Sequence, residues 1–143
     1  MIRMSVQLNL TWMQSYQANL DRLGMVVSAT AAMIENDAKK SILERGSRGN
    51  EYIRGGKIHY SAERGNPPNS DTGNLANSIG HKMTGRTRAE VFVGAEYAIP
   101  LEIGWIAKNG QHQGPFPFMV PAVQKHEVPF QKAVASILRG KKN

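Results

Sequence analysis

Apolar and polar residues alternate at the start of the chain and then change to the spacing of a helix. The alternation predicts a half-buried strand over residues 2–10. We expect Thr11 or Ser15 to cap the helix that follows and Gly46 to end it, while Gly24 weakens it by about 1 kcal/mol relative to Ala. Spacings of three and four place one set of residues on a single helical face: Leu20, Leu23, Val27, Ala31, Ile34, Ala38 and Ile42.

Residues 46–70 break this regularity with glycine, proline and scattered apolar residues. A segment this long without strong periodicity is either functional or disordered. A hairpin through Tyr52–Ile53 and Ile58–Tyr60, turning at Gly55–Gly56, fits the pattern. We expect the segment to project from the domain as a loop or arm.

Shorter elements are predicted over the next stretch. Asp71 is expected to cap a short helix that runs to Ile79. Two strands, Ile79–Met83 and Ala89–Val93, follow with a turn at Gly85–Arg86, and Tyr97–Ile103 forms a single helical turn.

The last forty residues predict a loop, an edge segment and a helix. Residues 104–115 are expected to be a loop. Residues 116–120 alternate like a strand, and Pro117 predicts that this strand lies at the edge of a sheet. Pro129 is expected at the start of the final helix, which Gly140 ends. Its apolar face carries Phe130, Val134, Ile137 and Leu138.

These elements predict an α+β fold in a single domain over residues 1–143. A small antiparallel sheet packs against the long N-terminal helix and the C-terminal helix, with the long loop projecting. The 143 residues are enough to bury a core. We find no run of about 18 apolar residues and no secretory signal pattern, so no membrane partner is expected.

Charge and cysteine content narrow the function classes. Lys and Arg total 18 against 11 Asp and Glu, which gives a formal net charge of +7. The absence of cysteine excludes disulfides, thiolate metal sites and a cysteine nucleophile. Residues 140–143 form a basic tail. The other candidates to face DNA or an acidic partner lie in loops and turns: Arg48, Arg54, Lys57, Arg64, Lys82, Arg86 and Arg88.

The sequence motifs give little support for enzyme activity. The tripeptide Asp71-Thr72-Gly73 is typical of aspartic proteases, but it follows a polar, proline-containing loop rather than an apolar strand, which favours a helix cap. The four histidines lie in unrelated segments without metal-ligand spacing. We therefore expect no enzyme activity, no metal and no cofactor.

Aromatic and aliphatic residues near loops are candidates for a protein interface. Trp105 and Phe116 flank the glycine-containing loop, where they either contact a partner or close one end of the core. The predicted arm supplies the remaining candidates: Tyr52, Ile53, Ile58 and Tyr60.

Three segments, in order, resemble a family of tailed-phage proteins. They are PNSDTGNLANSI (68–79), VGAEYAIPLEIG (93–104) and PFMVPA (117–122). The family is the neck, or tail-completion, component of long-tailed phages, typified by the tenth gene product of a lambdoid siphophage. The resemblance covers about residues 15–139.

The resemblance implies a structural virion protein that is assembled in the host bacterial cytoplasm. Subunits would form a ring with six copies at the head–tail junction, contact neighbouring neck, head-completion and tail-tube proteins, and let DNA pass through. The alternative is a small basic protein that binds DNA without sequence specificity. The resemblance implies architectural roles for Asp71, Thr72, Gly73, Leu75, Ser78, Tyr97, Ala98, Glu102, Gly104, Pro117, Phe118 and Pro121.

Overall fold

A computed structural model describes residues 2–5, 17–44, 49–70 and 73–140. It confirms the α+β class, with two long helices and small antiparallel sheets. The elements in chain order are β1 (Ile2–Ser5), α1 (Gln17–Leu43), β2 (Glu51–Arg54), β3 (Lys57–Tyr60), α2 (Asn74–Asn77), β4 (Ile79–Gly85), β5 (Arg88–Val93), α3 (Ala98–Ile103), β6 (Trp105–Ile106), β7 (His112–Gln113) and α4 (Met119–Leu138).

The long helix α1 uses the apolar face that the spacing predicts. Its buried residues include Leu23, Val27, Ala31, Ile34, Ala38 and Ile42, and Leu20 is half-buried. Gly24 lies where the β4–β5 turn crosses the helix, because a Cβ at this position would lie 2.5 Å from the carbonyl oxygen of Arg86. The expected cap residues Thr11, Ser15 and Gly46 lie outside the described residues.

One antiparallel sheet with the order β1-β5-β4 covers α1. Ile2 pairs with Val91 and Ile79 pairs with Val93, and a bulge interrupts the β4–β5 ladder between Met83 and Gly85. The predicted strand over 2–10 is confirmed for residues 2–5, and the rest of it lies outside the described residues. The turn lies at Arg86–Thr87, one residue later than predicted, because β4 continues through Gly85.

The C-terminal helix α4 begins ten residues before the predicted start, so both the edge strand over 116–120 and the helix start at Pro129 are wrong. Helix α4 starts at Met119 and contains Pro129 in its interior. The apparent alternation is misleading because Phe118 and Met119 are both buried while Val120 is exposed. Helix α4 starts earlier because it packs against α1 and because its N-terminus is capped, as described below.

Two smaller predictions also need correction. Helix α2 begins at Asn74 with Gly73 as its N-cap residue, at φ +79°, so the N-cap position is not Asp71. Asp71 and Thr72 themselves lie outside the described residues. The expected loop 104–115 contains the β6–β7 hairpin, in which Trp105 pairs with Gln113. A strand of two residues is too short for an alternation of apolar and polar residues to be recognised in the sequence.

No helix in the described part of the chain is long and apolar enough to cross a membrane.

Candidate functional site

The hairpin β2–β3, together with its flanking residues 49–50 and 61, forms the arm. Tyr52 pairs with His59, and their rings stack with centroids 5.5 Å apart. Ile53 pairs with Ile58, which places these two side chains on the opposite face of the hairpin, since side chains alternate along a strand. Gly55 and Gly56 turn the chain with φ of +60° and +74°. Positive φ at both central residues is what a type I′ hairpin turn requires, so the predicted hairpin is confirmed.

The two faces of the arm have different surroundings. Tyr52 and Arg54 line a cleft whose other wall includes Pro68, Tyr97 and Leu101, so this face is turned toward the body of the protein. The outer face carries Ile53 and Ile58, which are 76% and 60% exposed. Two exposed isoleucines side by side are a candidate contact surface, because contiguous exposed apolar residues are frequent at protein interfaces.

Backbone hydrogen bonds close the root of the arm, and a further one joins the chain that follows the arm to the core. The N–H of Gly49 donates to the carbonyl oxygen of Ser61 at 2.7 Å, and the N–H of Ser61 donates to that of Asn50 at 2.9 Å. The N–H of Ser70 donates to the carbonyl oxygen of Ile42 at the end of α1, at 3.2 Å.

Glu102 joins two of the segments that carry the resemblance. Its carboxylate accepts the backbone N–H groups of Phe118, Met119 and Val120 at 3.0, 3.1 and 2.8 Å. These are first-turn donors of α4, which have no partner within the helix, and a negative charge is favourable at this end. The resemblance implies that Glu102 holds the turn out of the sheet. The contacts in the structure are with α4 instead.

Beside this joint, a cleft opens between the start of α3 and the start of α4. Its walls are mostly apolar, and Ile99 at its rim is 65% exposed. Glu96 and Glu102 are the charged groups that line it. The other lining residues include Val93, Ala95, Ala98, Phe118 and Met119. Sequence reasoning missed this cleft, although the spacing of Ile99 and Ile103 on a short helix could have indicated an exposed apolar face.

Trp105 and Phe116, the loop aromatics, lie near each other with ring centroids 6.0 Å apart. Phe116 is half-buried and its N–H donates to the carbonyl oxygen of Leu101 at 2.7 Å, whereas Trp105 is exposed. Gly104 has φ +85°, and a Cβ there would lie 2.9 Å from the carbonyl oxygen of Gln113. Glycine is therefore required where the chain passes from α3 into β6.

Arg86 and Lys82 are among the candidate cations that interact within the chain. Arg86 binds Asp21 at 2.7 Å and the side-chain oxygen of Gln17 at 2.8 Å, which ties the β4–β5 turn to α1. Lys82 lies 3.9 Å from Glu90 and 5.8 Å from the centroid of the Phe92 ring. Arg54, Lys57, Arg64 and Arg88 are exposed, and Arg48 lies outside the described residues.

Two carboxylates on α1 are held in ion pairs. Burial raises the pKa of Glu35, but hydrogen bonds from Lys39 and His81 outweigh it, so the pKa lies below its ordinary value. Hydrogen bonds from Lys125 and His126 lower the pKa of Asp37. These pairs link α1 to β4 and α4. In the described part of the chain, no group of three or more His, Asp or Glu side chains is placed to hold a metal ion.

The remaining residues of the resemblance have structural surroundings. Leu75 and Ala98 are buried, and the hydroxyl of Ser78 donates to the carbonyl oxygen of Leu75 at 2.7 Å. Tyr97 is the N-cap residue of α3 and is exposed. Pro117 precedes α4, and Pro121 lies in its first turn, where its missing N–H costs little.

Comparison with known proteins adds no relative. No protein-family model matches the chain, and no curated protein or solved structure matches it.

Proposed function

We propose that the chain is a structural subunit of a phage head–tail junction. Copies form a ring that completes the tail or neck, head and tail join through it, and DNA passes through its centre. The expected copy number is six, to match the tail. The proposal starts from the three segments that resemble the neck family.

The observation that carries the proposal is the presence of two exposed apolar surfaces on separate elements. One is the outer face of the arm, with Ile53 and Ile58, and the other is the exposed side of α3, with Ile99 and Ile103. A closed ring needs a subunit with two different surfaces, since each copy binds one neighbour with each of them.

The contacts of Glu102 add support. The second and third segments of the resemblance lie far apart in the sequence for a local motif, yet Glu102 of one caps the helix that the other begins. A physical reason therefore exists for a glutamate in the second segment to accompany a helix start in the third. That reason is architectural rather than catalytic.

Loss of the chain from the phage that encodes it tests the proposal. A nonsense mutation in its reading frame is expected to produce full heads and separate tails in negative-stain images of the lysate. Supply of the intact chain in trans is expected to restore joined particles. Joined, infectious particles in the absence of the chain would overturn the proposal.

A small basic DNA-binding protein is the second candidate, favoured by the net charge of +7. Two candidate cations, Arg86 and Lys82, lie beside carboxylates of the same chain, which weakens this candidate. Binding of the purified chain to free duplex DNA over a salt series separates the two. Tight binding at physiological salt with a steep salt slope would favour the DNA-binding protein.

A further inference from the structure

The turn of the β6–β7 hairpin carries an asparagine followed by a glycine. Asn109 is the one asparagine in the sequence that precedes glycine. Both residues are exposed, and Gly110 has φ +81°, a conformation that residues with a Cβ rarely adopt. Glycine has no side chain to obstruct its own backbone nitrogen, so this nitrogen can approach the amide carbon of the preceding side chain. The pair therefore meets the first requirement for loss of ammonia from an asparagine.

A backbone N–H beside Asn109 is placed to assist this reaction. The side-chain oxygen Oδ1 of Asn109 accepts the N–H of Gln111 at 3.1 Å. When a nucleophile adds to the amide carbon Cγ, negative charge develops on Oδ1, and a donor already directed at that oxygen stabilises the addition. The Nδ2 group of Asn109 donates to Oε1 of Gln111 at 3.1 Å, so one residue holds both ends of the amide.

The nucleophile belongs to a weakly held part of the fold. The N–H of Gly110 donates to the carbonyl oxygen of Ala107 at 2.9 Å, and this bond must open before the nitrogen can turn toward Cγ. The strands of the hairpin have two residues each, and Trp105 and Ile106 in the first of them are exposed. Segments with few buried contacts open locally at a low cost in free energy. The turn can therefore release Gly110 while the rest of the fold stays intact.

Two other asparagines precede a small residue, serine, and the first of them is held by the core. The amide nitrogen of Asn69 donates to the carbonyl oxygen of Tyr60 at 2.9 Å. The backbone nitrogen that would attack it belongs to Ser70, whose N–H donates to the carbonyl oxygen of Ile42 at 3.2 Å. Both reacting groups are thus held by separate elements.

The second of these asparagines, Asn77, lies at the end of α2. The N–H of Ser78 donates to the carbonyl oxygen of Asn74 at 3.0 Å, and its hydroxyl donates to that of Leu75 at 2.7 Å. Leu75 is buried, so this end of the helix is anchored. Asn109 is therefore expected to react before either asparagine that precedes serine.

We propose that Asn109 is a site of spontaneous deamidation in the folded chain. The backbone nitrogen of Gly110 loses its proton and bonds to Cγ of Asn109, the Cγ–Nδ2 bond breaks, and ammonia leaves. Water then opens the resulting succinimide at either of its carbonyl carbons, which gives aspartate or isoaspartate with no change of oxidation state.

The product changes the chemistry of the hairpin turn. It adds a carboxylate beside the exposed Lys108 and lowers the formal net charge of +7 by one. It also removes the Nδ2 group that donates to Gln111. The reaction needs only water and the residues of the turn, so the site goes beyond the proposed function and does not depend on it.

Peptide mapping by mass spectrometry tests the site in the purified full chain after several weeks in mildly alkaline buffer. Digestion at acidic pH prevents the reaction during the mapping itself. The peptide that contains residue 109 should gain the mass of one deamidation and separate into aspartate and isoaspartate forms, while the peptides of Asn69 and Asn77 stay unmodified. The rate should rise with pH, because the nucleophile is the deprotonated nitrogen.

Two variants at exposed positions of the turn serve as controls. Asn109→Gln should abolish the acidic species in isoelectric focusing, because its longer side chain would have to close a larger ring. Gln111→Ala keeps the backbone N–H that contacts Oδ1, so it should still deamidate. Circular dichroism verifies that both variants are folded.

The chain unfolded in urea completes the test. There the peptide of residue 109 should react as well, and those of Asn69 and Asn77 should begin to react because their contacts are lost. Reaction at residue 109 in urea but not in the folded chain would overturn the proposal. So would earlier modification of another asparagine in the folded chain, or the same acidic species in Asn109→Gln.

Discussion

At the scale of single residues, Gly24 decides how closely the sheet approaches α1. The sequence alone indicates only a weak point in a helix, because glycine costs about 1 kcal/mol relative to alanine there. The structure supplies the reason for it, since the carbonyl oxygen of Arg86 lies where a Cβ would be. The partner is distant in the sequence and belongs to a turn, so no local pattern could reveal it.

Gly24→Ala is therefore expected to destabilise the protein, although alanine is the better helix former. A backbone oxygen 2.5 Å from the new methyl group must move, and overpacking of this kind typically costs about 1–3 kcal/mol. Urea unfolding measures the change. Met25→Ala, at the next residue and 72% exposed, is the control and should stay within about 0.5 kcal/mol. A Gly24→Ala protein more stable than the original would contradict the close approach.

At the scale of elements, the sequence predicts those elements that neighbouring residues specify and fails for those that depend on distant residues. The hairpins β2–β3 and β4–β5 were predictable because glycine and alternation act within a few residues. The start of α4 was not, because its cap comes from Glu102, sixteen residues before Phe118. Candidate site residues follow the same rule: Ile53 and Ile58 were identified from the arm, whereas the cleft lined by Ile99 needed the fold.

Glu102→Ala is expected to destabilise the protein by about 1.5–3 kcal/mol, the usual range for hydrogen bonds to a charged group. It leaves three N–H groups at the start of α4 without their carboxylate acceptor. Glu102→Gln should cost less, because one amide oxygen can still accept. Chemical denaturation measures both variants, with exposed Glu96→Ala as the control that should change stability by less than about 0.5 kcal/mol. Equal stability of Glu102→Ala and the control would exclude a capping role.

At the scale of the whole molecule, the core and the arm differ in burial and therefore in their contribution to folding. The core of α1, the sheet and α4 holds the buried apolar residues, and ion pairs from Asp37 to Lys125 and His126 join the two long helices. The arm contributes strands whose residues from Glu51 to Ile58 are all exposed. A segment with so little burial adds little to folding, so the core should fold without it.

This division predicts that removal of the arm separates folding from assembly. In the variant, residues 51–60 are replaced by Gly-Gly, which the root tolerates because the N–H of Ser61 already lies 2.9 Å from the carbonyl oxygen of Asn50. Its thermal unfolding should remain cooperative, with stability within about 1 kcal/mol of the original, because surface changes away from the core cost little. Supplied in trans to a phage that lacks the chain, it should leave heads and tails separate, whereas Met25→Ala should restore joining.

An armless chain that unfolds would show that the arm belongs to the core. One that folds and still joins heads to tails would show that the arm is dispensable for assembly.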